Sequence, residues 1–237
     1  KKSSNLSMSY KEELINSIEQ NFFFSKKPLN RFKINETNIK KNNLNKIEQI
    51  NEVKKLINSI QNCNLRDNSK KLILGDGNFD SPIMIIGEAP GLEEEKTNKA
   101  FQGESGALLE KMLLAINIKK EDIYSSYAIN FRPPEDRRPT TQEIKRYSIF
   151  LKEHISIIDP KIIVLLGSTA MESVVSSNER ISNERGKWKE IILKNKTYPI
   201  MITFNPSYLI RFPENKKFSW EDLKEIRKKI FDLKIQI

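Results

Sequence analysis

From residue 72 onward the chain alternates two textures. Short, mainly apolar runs, at 83–86, 123–129, 162–166 and 200–204, are separated by longer stretches in which apolar residues recur every three or four positions. The first texture predicts strands buried on both faces; the second predicts amphipathic helices. Leu108, Leu109, Met112, Leu113 and Ile116 make one such helical face. Thr140-Thr141-Gln142-Glu143 reads as a capping box, whose helix buries Ile144, Tyr147, Leu151 and Ile155 and stops at Asp159-Pro160. Gly167-Ser168 opens a third helix, and Ser219-Trp220-Glu221-Asp222 a last one. Strands alternating with helices predict an α/β fold, a three-layer α/β/α sandwich around a short central parallel sheet.

The first 50 residues differ. They are polar and rich in Lys and Asn, with one amphipathic stretch over Tyr10–Phe24 and a solvated linker or loosely held helix over 34–48. A further helix over Ile47–Ile60 leads to Cys63. The expected organisation is an N-terminal extension, 1–50, followed by one domain, 51–237. No internal repeat is visible.

Composition narrows the function. The 237 residues are 38% hydrophobic and 30% charged. No apolar stretch approaches the roughly 20 residues that span a bilayer, so no membrane partner is expected. Lys1-Lys2-Ser3-Ser4 has neither a methionine nor an apolar core, which reads as a cut or incomplete start and not as a secretory peptide. A single cysteine excludes an internal disulfide framework and fits the reducing cytoplasm; with a single histidine it leaves no zinc site of the usual kind. The net charge of +10 suits a polyanionic partner. A chain so loaded with Lys, Asn and Ile is also what AT-rich coding supplies, so the charge permits nucleic-acid binding without establishing it.

In a parallel α/β sheet the functional loops follow the strand carboxyl ends. The first holds Gly87-Glu88-Ala89-Pro90-Gly91 with Glu93, Glu94 and Glu95 beyond it. The second holds Asn130-Phe131-Arg132-Pro133-Pro134 and Arg137-Arg138-Pro139, the third Gly167-Ser168-Thr169, and the fourth Asn205-Pro206-Ser207-Tyr208-Leu209-Ile210-Arg211. Together they offer a carboxylate, exposed turn N–H groups, an aromatic side chain at Phe101, arginines and an apolar wedge. An enzyme that pulls a base out of a duplex needs that set.

These residues resemble the uracil-DNA glycosylase superfamily, specifically its family-4-like branch. The matches are Gly87–Gly91 with Phe101-Gln102-Gly103-Glu104-Ser105-Gly106, Phe131–Arg137, Arg185-Gly186-Lys187-Trp188, and Asn205–Arg211. The resemblance implies a monofunctional, monomeric enzyme that hydrolyses the N-glycosidic bond of deoxyuridine in DNA during base excision repair. It implies catalytic roles for Glu88, Glu94 and Asn205. It places the base against Gly87, Ala89, Pro90, Gly91, Phe101 and Tyr127. It puts DNA against Arg132, Arg137, Arg138, Ser207, Leu209, Ile210 and Arg211.

Three departures from the family stand out. Many members hold an iron–sulfur cluster on four cysteines; here those places carry Ile60, Cys63, Phe131 and Tyr147, so no cofactor is expected and Cys63 reads as a buried structural thiol. The fourth loop begins with Asn205 where the family has histidine. Tyr127 stands where an asparagine reads the uracil edge, and Asn130, three residues on, faces the other side of the strand. A DNA-binding homologue impaired in catalysis, and a glycosylase for another deaminated base, therefore stay open. His154 reads as structural, and Trp188 and Trp220 as packing anchors.

Overall fold

The computed structural model describes residues 36–236 apart from Lys70 and Asn178. The helix expected over Tyr10–Phe24 lies outside these. Residues Lys40–Ile237 form one compact unit, and the site lies within it. Helices α1 (Glu36–Asn58) and α2 (Asn64–Asn68) lead into β1 (Gly75–Gly77) and β2 (Ile83–Gly87). Next come α3 (Leu92–Thr97), α4 (Gly103–Leu114), β3 (Tyr124–Tyr127), α5 (Thr141–Ile158), β4 (Ile162–Leu166), α6 (Ser168–Val175) and α7 (Ile181–Glu184). Then follow β5 (Trp188–Leu193), β6 (Lys196–Thr203), α8 (Pro206–Arg211) and α9 (Lys216–Asp232).

The sheet runs β1-β3-β2-β4-β6-β5. Its four inner strands are parallel, as expected. Its edges are not: β1 and β5 both pair antiparallel, so the sheet is mixed. The inner strands alternate their side chains between two cores. Met84, Ile86, Ile163, Leu165, Ile200 and Ile202 pack with Ile50, Val53 and Ile57 of α1, Ile144 and Leu151 of α5, and Met171 of α6. Ile83, Ile85, Ile162, Val164 and Met201 pack with Leu109 and Leu113 of α4 and Leu223 and Ile226 of α9. These are the three layers, and each fully buried Ile or Leu contributes roughly 1.5–3 kcal/mol.

The capping box forms: Glu143 N donates to Thr140 Oγ1 at 3.2 Å, and Thr140 N donates to Glu143 Oε2 at 2.7 Å. The helix anticipated from Ile47 already begins at Glu36, and the last helix begins at Lys216, before Ser219. Trp188 packs against the second core, whereas Trp220 is 42% exposed and belongs to neither core.

His154 is structural. The Tyr124 hydroxyl lies 2.9 Å from Nε2 and Ser126 Oγ lies 3.3 Å from Nδ1. Ser126 already donates its proton to Leu74 O, at 2.8 Å, so it accepts from Nδ1–H, and Nε2 accepts from Tyr124. Burial, aided by the charge of Lys54, keeps the ring neutral and pushes its pKa down to about 3. An unfolded chain protonates histidine near 6.5. Between those values only the unfolded state binds the proton, so the stabilisation is complete above pH ~6.5 and is lost as pH falls towards 3. We expect urea denaturation to show stability declining by about 1.4 kcal/mol per pH unit below pH 6. His154→Asn should flatten that slope; an equal slope in the variant would mean that other groups carry it.

Candidate active site

From β2 the chain adds β3 on one side and then crosses to add β4 on the other. The carboxyl ends of β2 and β4 therefore flank the point where strand order reverses, which opens a crevice. Glu88 follows β2 directly, and Thr169 lies in the first turn of α6, after β4. The Thr169 hydroxyl donates to Glu88 Oε2 at 2.6 Å across this gap. Thr169 is fully buried and Glu88 half-buried, so the hydroxyl fixes one carboxylate oxygen and leaves the other towards the cleft.

The two motifs around Glu88 and Phe101 form one unit through Glu94. Its Oε2 accepts from Gly91 N at 2.9 Å and its Oε1 accepts from Gln102 N at 2.8 Å. Phe101 sits between them with φ +50°, a left-handed conformation uncommon for an aromatic residue. Its N–H donates to the Tyr127 hydroxyl at 2.7 Å, and its carbonyl accepts from Lys120 Nζ at 3.1 Å. The Phe101 and Tyr127 rings meet with centroids 4.9 Å apart. Two glycines make the room. A Cβ on Gly87 would come within 2.9 Å of the Phe101 ring, and one on Gly106 within 2.0 Å of the Phe101 carbonyl oxygen. Burial, and after it the Glu94 carboxylate, push the Tyr127 hydroxyl pKa upward, so it stays a neutral hydrogen-bonding group.

On the far wall Asn205 caps α8. Its Oδ1 accepts from Ser207 N and Ser207 Oγ, both at 3.0 Å. That cap settles which way the amide points. With the oxygen taken, the Nδ2 group makes no hydrogen bond among the described residues and is the end left to face a ligand.

The cleft has two adjoining cavities. The smaller, about 310 Å³, is lined by Ala89, Pro90, Gly91, Glu94, Phe101, Tyr127 and Arg137. The larger, about 770 Å³, extends past Arg138, Arg180, Tyr208 and Arg211 to Phe218. Glu88, Asp136, Asn205 and Ser207 line both. Most residues anticipated from sequence thus converge, with Gly87 beneath Phe101.

Others are redirected. Leu209 is 1% exposed: with Pro206 it forms the inward i, i+3 face of α8, so it cannot enter a DNA groove. Ile210 is half-buried and Arg211 exposed. Arg132 is not free for a phosphate, because it holds Asp136 bidentately at 2.7 and 2.8 Å and reaches Glu95 at 3.5 Å. Arg137 likewise holds Glu143 at 2.7 and 2.9 Å. Arg138, 3.6 Å from Glu172, keeps a largely exposed side chain. Glu94 spends both oxygens on backbone N–H groups and positions the loops. Asn130 turns away, donating to Ile73 O at 3.2 Å. Thr169 and Tyr208 are the residues sequence reasoning passes over. Both sit inside loops already marked as functional, but nothing in their spacing singles them out.

The four positions at which the family can hold a cluster also come together. Cys63, Phe131 and Tyr147 are buried in one core, with Ile60 packed against it. Phe131 meets Tyr147 edge-on at 6.5 Å, and Cys63 Sγ lies 3.2 Å from the Tyr147 hydroxyl. One thiol among four positions does not fit a four-thiolate cluster. Among the described residues no group of three or more His, Cys, Asp or Glu could hold a metal ion, and no helix is long and apolar enough to cross a membrane.

Residues 74–226 match the uracil DNA glycosylase superfamily. The type-4 uracil-DNA glycosylase of Thermotoga maritima is 36% identical over 168 residues, 70% of this chain and 86% of that protein. The Archaeoglobus fulgidus type-4 enzyme is 28% identical over 184 residues, covering 76% and 92% of the two chains. That of Sulfurisphaera tokodaii is 31% identical over 189 residues, covering 76% and 84%.

The Phe101 turn yields a stability test. Tyr127→Phe keeps the ring but strands a buried N–H, and should cost about 1–3 kcal/mol in urea denaturation. A variant as stable as the parent would show that the hydroxyl does not hold the turn.

Proposed function

The chain belongs to the uracil DNA glycosylase superfamily, and we propose that it hydrolyses the N-glycosidic bond of uracil in DNA, as a base excision repair enzyme with Glu88 as its catalytic carboxylate. The observation that carries this reading is the convergence of Glu88, Asn205 Nδ2 and Phe101 on the smaller cavity. An extruded uracil enters it and stacks on Phe101. As the bond to C1′ breaks, positive charge grows on the sugar and negative charge on the departing base. The free Glu88 oxygen faces the sugar, stabilises its charge and orients the attacking water. Asn205 Nδ2 donates to the base anion. Of the turn from Glu88 to Gly91, Pro90 has no N–H and that of Gly91 is spent on Glu94, which leaves those of Glu88 and Ala89. Donors already aimed at charge that exists only in the transition state need no reorganisation, and one such donor is typically worth about 10²–10³ in rate.

Several finer points belong to the same proposal. The enzyme works without an iron–sulfur cluster or other cofactor, a reading supported by the apolar packing at Ile60, Phe131 and Tyr147. It acts as a monomer. It resides in the cytoplasm, which suits a lone buried thiol. Residues 51–237 carry the activity, with residues 1–50 as an extension. Tyr127 serves as a floor under Phe101, and Arg138 and Arg211 meet phosphates at the rim. Thr169 and Glu94 are positioning residues that hold the catalytic carboxylate and its loops.

Excision from labelled single-stranded and U·G duplex DNA, read as alkali-labile abasic product, tests the activity. Wild type should yield product, and Glu88→Gln should lower kcat on the order of 10²–10⁴-fold. DNA bound with no product formed would defeat the reading. Thr169→Val removes a hydrogen bond to a charged group and should lower kcat roughly 10–100-fold with KM little changed, whereas Thr169→Ser should restore most of it. Equal loss in both variants would make Thr169 a packing residue only.

A further inference from the structure

The larger cavity exceeds anything a single uracil requires, and its walls are of a different kind. Phe204, Tyr208 and Phe212 form a stepped aromatic ladder, with centroids 5.0 and 4.9 Å apart. Tyr208 lines the cavity and is steadied by Asn215 Nδ2, which donates to its hydroxyl at 3.3 Å. Opposite, Phe218 is 41% exposed. The Arg185 guanidinium sits 5.6 Å from the Phe204 ring centroid and 5.4 Å from that of Phe218. Buried Asp222 grips Arg185 through Nε at 3.0 Å and through a second, shorter contact. Arg185 thus neutralises a buried carboxylate and braces two rings, and it is not the phosphate ligand.

The free cations lie at the rim. Arg180 is exposed and has no ion pair among the described residues, and Arg211 is exposed with only Ser207 O, 3.4 Å from its Nε. Rings to stack a base, with exposed cations beside them, are what binds unpaired nucleic acid. The cavity shares Glu88 and Asn205 with the base pocket, so a strand that delivers uracil to one lies over the other.

We propose that this cavity is a second nucleotide subsite, which takes the unpaired base next to the target against Tyr208 and Phe218 and its phosphate against Arg180 and Arg211. The proposal rests on the glycosylase reading for the strand's path. It makes unpaired DNA the preferred substrate class, because in a duplex the neighbouring base stays stacked within the helix.

The test uses a short single-stranded oligonucleotide with a tetrahydrofuran residue at the target position, titrated by fluorescence anisotropy. Removing the neighbouring base as well, on one side, should weaken wild-type binding about tenfold. Tyr208→Ala should bind both oligonucleotides equally. Because Tyr208 borders Asn205, Arg180→Ala serves as a second, surface variant. It should lower affinity and reduce the slope of log K against log salt by about one phosphate contact. Wild-type affinity indifferent to both neighbouring bases, or an unchanged salt slope in Arg180→Ala, would overturn the subsite. So would tight binding of thymidine 5′-monophosphate alone, since the cavity would then serve free nucleotides. Uracil excision is scored separately. Base-dependent binding without excision keeps the subsite and rejects the activity; excision with base-independent binding does the reverse.

Discussion

The hydrogen bond from Thr169 to Glu88 is the constraint on which the site depends. It joins the residue after β2 to the first turn after β4, across the one place where a doubly wound sheet leaves a gap. A carboxylate on a Gly/Pro turn is otherwise free to swing into solvent, where its charge is screened and its geometry undefined. One short bond from a buried hydroxyl removes that freedom. Strands β2 and β4, whose buried side chains on both faces are Ile, Leu, Val and Met, keep the two loop ends at a fixed spacing, and the helix beginning at Ser168 does the same for the hydroxyl. The hydrophobic core therefore fixes the position of the Glu88 carboxylate through this polar contact.

Glu94 does comparable work on the other side. A carboxylate that accepts from Gly91 and Gln102 ties together two motifs that lie ten residues apart. It also braces Phe101 in a backbone conformation that costs of order 1–3 kcal/mol. The strain is held by several groups at once: Tyr127 takes the amide hydrogen, Lys120 donates to the carbonyl, and Gly87 and Gly106 withdraw the atoms that would collide. A rigid aromatic platform results, made from a loop.

Much of this architecture is legible in the sequence. Strands β2 and β4 can be read because burial on both faces favours an unbroken apolar run, β3 and β6 less sharply because Ser125-Ser126 and Lys196-Thr197 interrupt theirs, and α5 because its capping box is a local chemical signal. The edge strands cannot: Gly-Asp-Gly of β1 holds no apolar residue, and β5 is wetted on one face. The loops that line the cleft are legible as a resemblance, yet the phase of a short helix is not. Leu209 points inward because the Asn205 cap and Pro206 set where α8 starts, and a motif does not carry that rotation. Nor does sequence reveal which arginines are already spent. Arg132 and Arg137 owe their partners, Asp136 and Glu143, to loop geometry. The role of Tyr127 likewise depends on Phe101, a residue 26 positions away that meets it only after folding.

The asparagine at the mouth of α8 has one more consequence. An imidazole in that place changes its charge within the physiological range, and a catalyst that relies on it inherits that titration. An amide has no proton to lose. The only imidazole in the chain is sealed in the core as a neutral ring, and the only thiol lies against Tyr147, away from the cleft. Among the described residues, nothing that lines the two cavities is an imidazole or a thiol. On the proposed reading, Asn205 offers the leaving base the same donor at acid, neutral and alkaline pH: weaker than a cation could be, but indifferent to cellular acidity.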